Sequence, residues 1–169
     1  MNDTAPEPNS PEQPDPAAAP SKERWFWPWF WRVFLVASLG YAWYSFYAPA
    51  NDIAWAADAG SAQQQAARSG KTVMLFFTGK WCSPCQIMKR QVWADPEVAA
   101  VVNEHLVAVM VDVDEPAKAP IVSRYGIGAT PVTLLTDPEG NALAWRVGKI
   151  GKAEFLDLLD ERTGSTNDG

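Results

Sequence analysis

An α/β layered sheet is the fold class that this 169-residue chain predicts, and three observations carry the prediction. Residues 73–77 and 106–113 are continuous apolar runs, rich in β-branched and aromatic side chains, of the kind found in strands covered on both faces. Helical stretches precede and separate them, so the two strands form a parallel pair. Residues 132–136 and 142–147 flank Asp137-Pro138-Glu139-Gly140-Asn141, a turn signal that makes them a hairpin.

The elements follow in order. Residues 1–24 hold six of the 14 prolines and no apolar side chain suited to a core, which reads as a disordered Pro/Ala-rich tail. Residues 25–48 carry one full charge, Arg32. About 20 apolar residues span a hydrocarbon layer of roughly 30 Å, so this stretch reads as a transmembrane anchor. Pro28 and Arg32 place the aromatic cluster Trp25, Phe26, Trp27, Trp29, Phe30 and Trp31 near the headgroups, leaving 33–47 to span. Lys22, Arg24 and Arg32 lie on the N-terminal side, whereas the next basic residue is Arg68. Positive charge stays inside, so the N-terminus is expected in the cytoplasm of a bacterial-type inner membrane, with a single pass and everything from Asn51 onward periplasmic. An amphipathic helix lying flat in the interface competes with this reading, but 33–47 has no charged face to keep wet. A signal peptide competes as well, because Ala48-Pro49-Ala50 matches a small-x-small cleavage pattern. Either way the folded part is exported.

Residues 51–70 read as a lead-in helix, with Trp55, Ala59, Ala62 and Ala66 at helical spacing and Gly70 beyond its end. After the 73–77 strand, 86–93 is helical. Asp95 as N-cap and Pro96 at the first position start another helix that runs to about His105. The second buried strand follows, then a short helix over 120–125 and the hairpin. Residues 152–162 present Phe155, Leu156, Leu158 and Leu159 on one face, Gly164 can close that helix, and 163–169 form a flexible C-terminus.

Composition excludes several classes. The 119 residues after position 50 suffice for one core and not for two. A net charge of -6, with no strongly basic part, argues against nucleic acid, whose binding draws on Lys and Arg. Two cysteines are too few for a disulfide-dense scaffold or a structural zinc site.

Those two cysteines lie in Trp81-Cys82-Ser83-Pro84-Cys85, where a buried strand ends and a helix begins. Unpaired backbone N–H groups and the helix dipole stabilise a thiolate there, which makes Cys82 the candidate nucleophile. Cys85 lies one turn further on the same side, within reach to close a disulfide or resolve a mixed one. Pro84 fits the first turn and stiffens the loop. Half of a zinc site is the bland reading of such a pair, but no third cysteine exists and His105 is the only histidine. A merely structural bridge over so short a loop restricts the unfolded chain little.

W-C-S-P-C after a buried strand, Thr130-Pro131, and Arg146-Val147-Gly148 ahead of an amphipathic C-terminal helix resemble the thioredoxin superfamily over about residues 71–162. Trp55, Gly70-Lys71 and Asp95-Pro96-Glu97-Val98 further resemble its exported, membrane-tethered thiol reductases. The resemblance implies a thioredoxin-like fold, a central mixed β-sheet flanked by helices. It implies that Thr130-Pro131 is a cis-proline loop facing the cysteines, with the Thr130 backbone free to pair with an extended substrate; a strand-start trans proline is the competing reading. Trp81 would shield the sulfurs and shape the docking surface, unless it is a core aromatic. No cofactor is implied beyond the redox-active Cys82–Cys85 disulfide, and no metal. One departure stands out: Phe76 occupies the position of a buried acid, neither Lys89 nor Met110 supplies a carboxylate, and Asp112 and Asp114 are expected exposed at a strand end.

The expected activity is a membrane-tethered thiol-disulfide oxidoreductase that reduces exported proteins. Ser83 and Pro84 bring no cation to stabilise the Cys82 thiolate, which favours a reductant over an oxidant. An oxidase or isomerase, or a non-catalytic binding module, remains the alternative. Expected partners are disulfide-containing client proteins, a membrane thiol donor that restores the dithiol, and the lipid bilayer.

Overall fold

The computed structural model describes residues 22–164; the expected tail up to residue 21 and residues 165–169 of the expected C-terminal extension lie outside the described residues. Strand β1 (Thr72–Thr78) is the centre of the sheet, because its apolar side chains alternate toward two different cores and none from Val73 to Phe77 needs water. It pairs in parallel with β2 (Leu106–Asp112) and antiparallel with β3 (Val132–Thr136). Strand β4 (Ala142–Val147) pairs with β3 across the expected hairpin and completes the order β2-β1-β3-β4. The predicted α/β sheet is present, with the mixed strand directions that the resemblance implies.

On one face Met74, Phe76, Ala108 and Leu135 meet Cys85, Met88, Val92, Trp93, Val98, Val102, Phe155 and Leu158. Trp93 organises this layer: its ring centroid lies 5.2 Å from Phe76, 5.0 Å from Phe155 and 6.3 Å from Trp55, each pair near edge-to-face. Such pairs contribute about 0.5–1.5 kcal/mol each beyond the area they bury. On the other face Val73, Leu75, Phe77, Val109 and Leu134 pack against Ala62 and Ala66 of α2 (Ala59–Ser69).

The lead-in segment differs from expectation. Only Ala59–Ser69 is helical, because Asp58 caps it in a reciprocal box with Ser61, and Gly70 ends it at φ 67°. The residues before it are extended: Ala56 bridges Val109, Ile53 enters the Trp93 core, and Asn51 accepts a hydrogen bond from Trp55 Nε1 at 2.8 Å. Burying Ile53 and adding a backbone bridge beside β2 outweigh the helical preference of a short alanine-rich stretch. Helix α3 (Ser83–Met88) starts before the expected residue 86 and runs into a π-helical turn over Lys89–Trp93. Helix α4 (Pro96–His105) has Asp95 as its N-cap, as expected. A 3₁₀ turn (Pro116–Lys118) precedes α5 (Ala119–Arg124), and α6 (Lys152–Gly164) closes the domain.

The chain divides into two compact units at Tyr41 and Ala42. Helix α1 (Lys22–Phe46) is 25 residues long and leaves its aromatic and aliphatic side chains exposed from Phe26 onward. No helix among the described residues is long and apolar enough to cross a membrane. In α1 the shortfall is one of apolarity, since Arg32, Pro28 and the polar edges of its indoles and phenols dilute its hydrocarbon content.

Asp95 joins α4 to α6. It accepts from the backbone N–H groups of Glu97 and Val98, and Lys152 reaches both Asp95 at 3.0 Å and Glu97 at 2.6 Å. The Lys152 hydrogen bond, followed by the two backbone donors, holds the Asp95 carboxyl below the ordinary carboxylate value. A carboxylate with its folded pKa depressed stabilises the fold fully above its unfolded pKa of about 3.9, and that contribution disappears as pH falls through the folded value. Asp95→Asn is therefore expected to lower the melting temperature at pH 7 and to flatten its fall between about pH 5 and pH 3, measured by thermal denaturation across that range.

Candidate functional site

Strand β1 ends at Thr78, and the chain turns at Gly79 into the segment that carries both cysteines. The turn is tight because Asp114 closes over it, accepting from Lys80 N at 2.8 Å. A Cβ on Gly79 would stand 3.3 Å from Asp114 Oδ2 and 3.8 Å from Thr130 Oγ1, so the position needs glycine or a shift of Asp114. Cys82 N then donates to Gly79 O at 3.3 Å, and Cys82 becomes the N-cap of α3. Pro84 falls in the first helical turn, where its missing N–H leaves nothing unsatisfied.

Cys82 and Cys85 are joined in a disulfide. The Cys85 N–H donates to Cys82 Sγ at 3.2 Å, so a helix N-terminal donor points at the more accessible sulfur. The two cysteines differ in environment. Cys85 is fully buried in the Trp93 layer, whereas Cys82 is half-buried and flanked by exposed Trp81, Ser83 and Pro84. Trp81 is 81% exposed, which removes the core-aromatic reading of that residue.

The Thr130–Pro131 peptide bond is cis, as the resemblance implied and against the strand-start trans alternative. Pro131 sits one step beyond the Phe77–Val132 pair, level with the end of β1, and its carbonyl accepts from Gly148 N at 2.8 Å. The approach of Thr130 to Gly79 sets the proline loop beside the segment that leads into the cysteines. The end of β1 and the start of β3 thus set Thr130 next to Gly79, three residues ahead of Cys82.

Phe76 is fully buried against Trp93, so an apolar ring fills the place of an acid. Asp112 is half-buried, more enclosed than expected, and Asp114 is exposed as expected. Lys89, four residues after Cys85, has its pKa lowered by burial, with Asp112 opposing that shift. Gln86, next to Cys85, is buried although polar. Neither Gln86 nor Lys89 stood out in the sequence as enclosed, since helical spacing does not reveal which polar side chains a neighbouring element will cover. Among the described residues no group of three or more His, Cys, Asp or Glu side chains is placed to hold a metal ion.

Residues 59–163 match the family described as a thioredoxin-like domain. The thiol:disulfide interchange protein DsbD 2 of Pseudomonas aeruginosa is 32% identical over 90 residues, 52% of this chain and 15% of the relative. DsbD of Ralstonia nicotianae is 31% identical over 106 residues, 62% of this chain and 17% of the relative. The chain thus corresponds to about one-sixth of the length of these two proteins. Among solved structures, one titled DsbH oxidoreductase superposes with a TM-score of 0.59 at 26% identity, over 68% of this chain and 85% of that one.

The unequal burial of the sulfurs makes a prediction. After reduction, a short pulse of iodoacetamide at neutral pH is expected to label Cys82 and to spare Cys85, read by peptide mass spectrometry. Equal labelling would mean that the burial of Cys85 does not protect it in the dithiol form.

Proposed function

The chain belongs to the thioredoxin-like domain family, and on that premise we propose that it is a membrane-tethered thiol-disulfide oxidoreductase that reduces disulfides of exported proteins. One observation carries the chemistry: a half-exposed Cys82 that caps α3, receives the Cys85 N–H, and is bonded to a buried Cys85. In the dithiol form the Cys82 thiolate attacks one sulfur of a client disulfide. A mixed disulfide forms, and the other client sulfur leaves as a thiolate that takes a proton from water. Cys85, deprotonated in turn, attacks Cys82 Sγ, re-forms the Cys82–Cys85 bond and releases the second client sulfur. Two electrons have then passed to the client, and a membrane dithiol donor must return them before the next cycle. With Phe76 in place of an acid, the proton of Cys85 passes through water or another residue.

The direction follows from thiolate stability. Ser83 and Pro84 bring no positive charge to Cys82. A less stabilised thiolate makes the dithiol a better reductant. The DsbD relatives are thiol:disulfide interchange proteins, which supports exchange chemistry here. Membrane attachment is supported by the surface of α1, on which Trp27, Trp29, Trp31, Phe34, Leu35, Val36 and Leu39 all remain exposed. An apolar surface of that extent calls for a partner phase, and its interface-loving rings suit a bilayer boundary. A periplasmic location, expected from the basic residues Lys22, Arg24 and Arg32 ahead of the domain, belongs to the same proposal.

Two experiments test this reading. With dithiothreitol as electron source, the detergent-solubilised full chain is expected to speed insulin reduction, and Cys82→Ser to abolish the gain. The dithiol is expected near -270 mV by equilibration with glutathione, roughly thioredoxin's value; a result near -120 mV would make it an oxidant. Separately, the full chain is expected to float with phosphatidylethanolamine–phosphatidylglycerol vesicles and to resist carbonate extraction, whereas recovery in the soluble fraction would refute the tether.

A further inference from the structure

The last turn of α1 belongs to the same compact unit as the cysteines, and a side chain from the dithiol helix holds it there. Arg90 lies on the π-helical turn that follows α3. Its Nη1 stands 2.9 Å from the carbonyl oxygens of Ser45 and Tyr47 and 3.1 Å from that of Tyr44. Its guanidinium carbon lies 5.0 Å from the centroid of the Tyr44 ring. The carbonyls at a helix C-terminus lack intrahelical partners, so the Nη1 donors shared among them fix where the turn sits. The outcome is at the site: the Phe46 ring meets Trp81 edge-on, with centroids 5.7 Å apart.

This arrangement adds little to the core. Phe46 remains 47% exposed, Tyr44 and Tyr47 more so, and Trp81 is almost entirely open. A segment held in place to stabilise the fold would bury its rings. Here the Phe46 ring is held against Trp81, the residue before Cys82, and left half uncovered, so its open face extends the apolar surface that Trp81 begins. A polypeptide that lays the residues beside its cysteine across Trp81 comes onto Phe46, whose ring abuts that side chain.

We propose that Phe46 is a specificity-determining contact that extends the Trp81 surface for protein clients with apolar side chains beside the reacting cysteine, and that Arg90 is the positioning residue that holds it. The proposal rests on the exchange chemistry assigned to Cys82. A small disulfide reaches that sulfur without crossing Phe46, whereas a protein disulfide does not.

The test compares insulin with glutathione disulfide as substrates of the full chain, with dithiothreitol as reductant, in detergent and in vesicles. Phe46→Ala is expected to lower kcat/KM for insulin about three- to tenfold, the worth of one aromatic contact, through KM with kcat kept. Glutathione disulfide is expected to react at the unaltered rate. Arg90→Gln should give the same pattern, and the double variant no further loss, because both act through one ring. Equal losses on the two substrates, unaltered insulin kinetics, or a loss confined to vesicles, which would mark Phe46 as a lipid contact, each overturn the proposal. A wild-type chain that exchanges with neither disulfide would instead overturn the redox reading itself, and the proposal with it.

Discussion

The pairing of β1 with strands on both of its edges is the constraint on which the rest of the molecule depends. Seven register pairs with β2 and five with β3 leave this strand no freedom to slip, because a one-residue shift would exchange the side chains of its two buried faces. Its end at Thr78 is therefore fixed, as is the start of β3 beside it. The Gly79 turn into the dithiol segment and the cis-proline loop lie at the same end of the sheet because both continue paired strands. Asp114, at the end of the third element to reach that edge, then ties the turn at Gly79 through Lys80 N.

From that placement follows the asymmetry of the two sulfurs. The chain must descend from the sheet edge into the Trp93 layer, and α3 makes the descent within one turn. Cys82 caps the helix at the rim, and Cys85 already lies in the core with Met88. A nucleophile needs access, and a resolving thiol needs only its neighbour, so one turn of helix supplies both conditions. The same core explains Phe76. The Phe76 ring packs edge-to-face on Trp93, which meets Phe155 in the same way, so the position is filled by aromatic packing.

The helix that precedes the domain shares in the site through its last turn. Arg90 joins the backbone of residues 44, 45 and 47 to the π-helical turn that continues the cysteine helix. Extra residues in helices of this kind often accompany function, since they redirect side chains without breaking the helix.

Much of this was determined by the amino-acid order alone. Continuous apolar runs, the Asp95-Pro96 helix start, the hairpin turn and the placement of Trp81-Cys82-Ser83-Pro84-Cys85 after a strand are local signals, and each acts through backbone sterics or capping within a few residues. Thr130-Pro131 was legible only through its resemblance to a known pattern, because nothing local distinguishes a cis proline loop from a strand start. Tertiary structure alone decided the rest. Residues 51–58 gave up helical spacing for an extended path because Ile53 could be buried and Ala56 could bridge Val109, both of which depend on elements distant in the chain. The enclosure of Lys89 near Asp112, and the reach of Arg90 to carbonyls more than 40 positions away, likewise have no local signature. Periodicity reports which face of an element is apolar; what will cover that face, and which polar side chain will be caught beneath it, is set only when the elements pack.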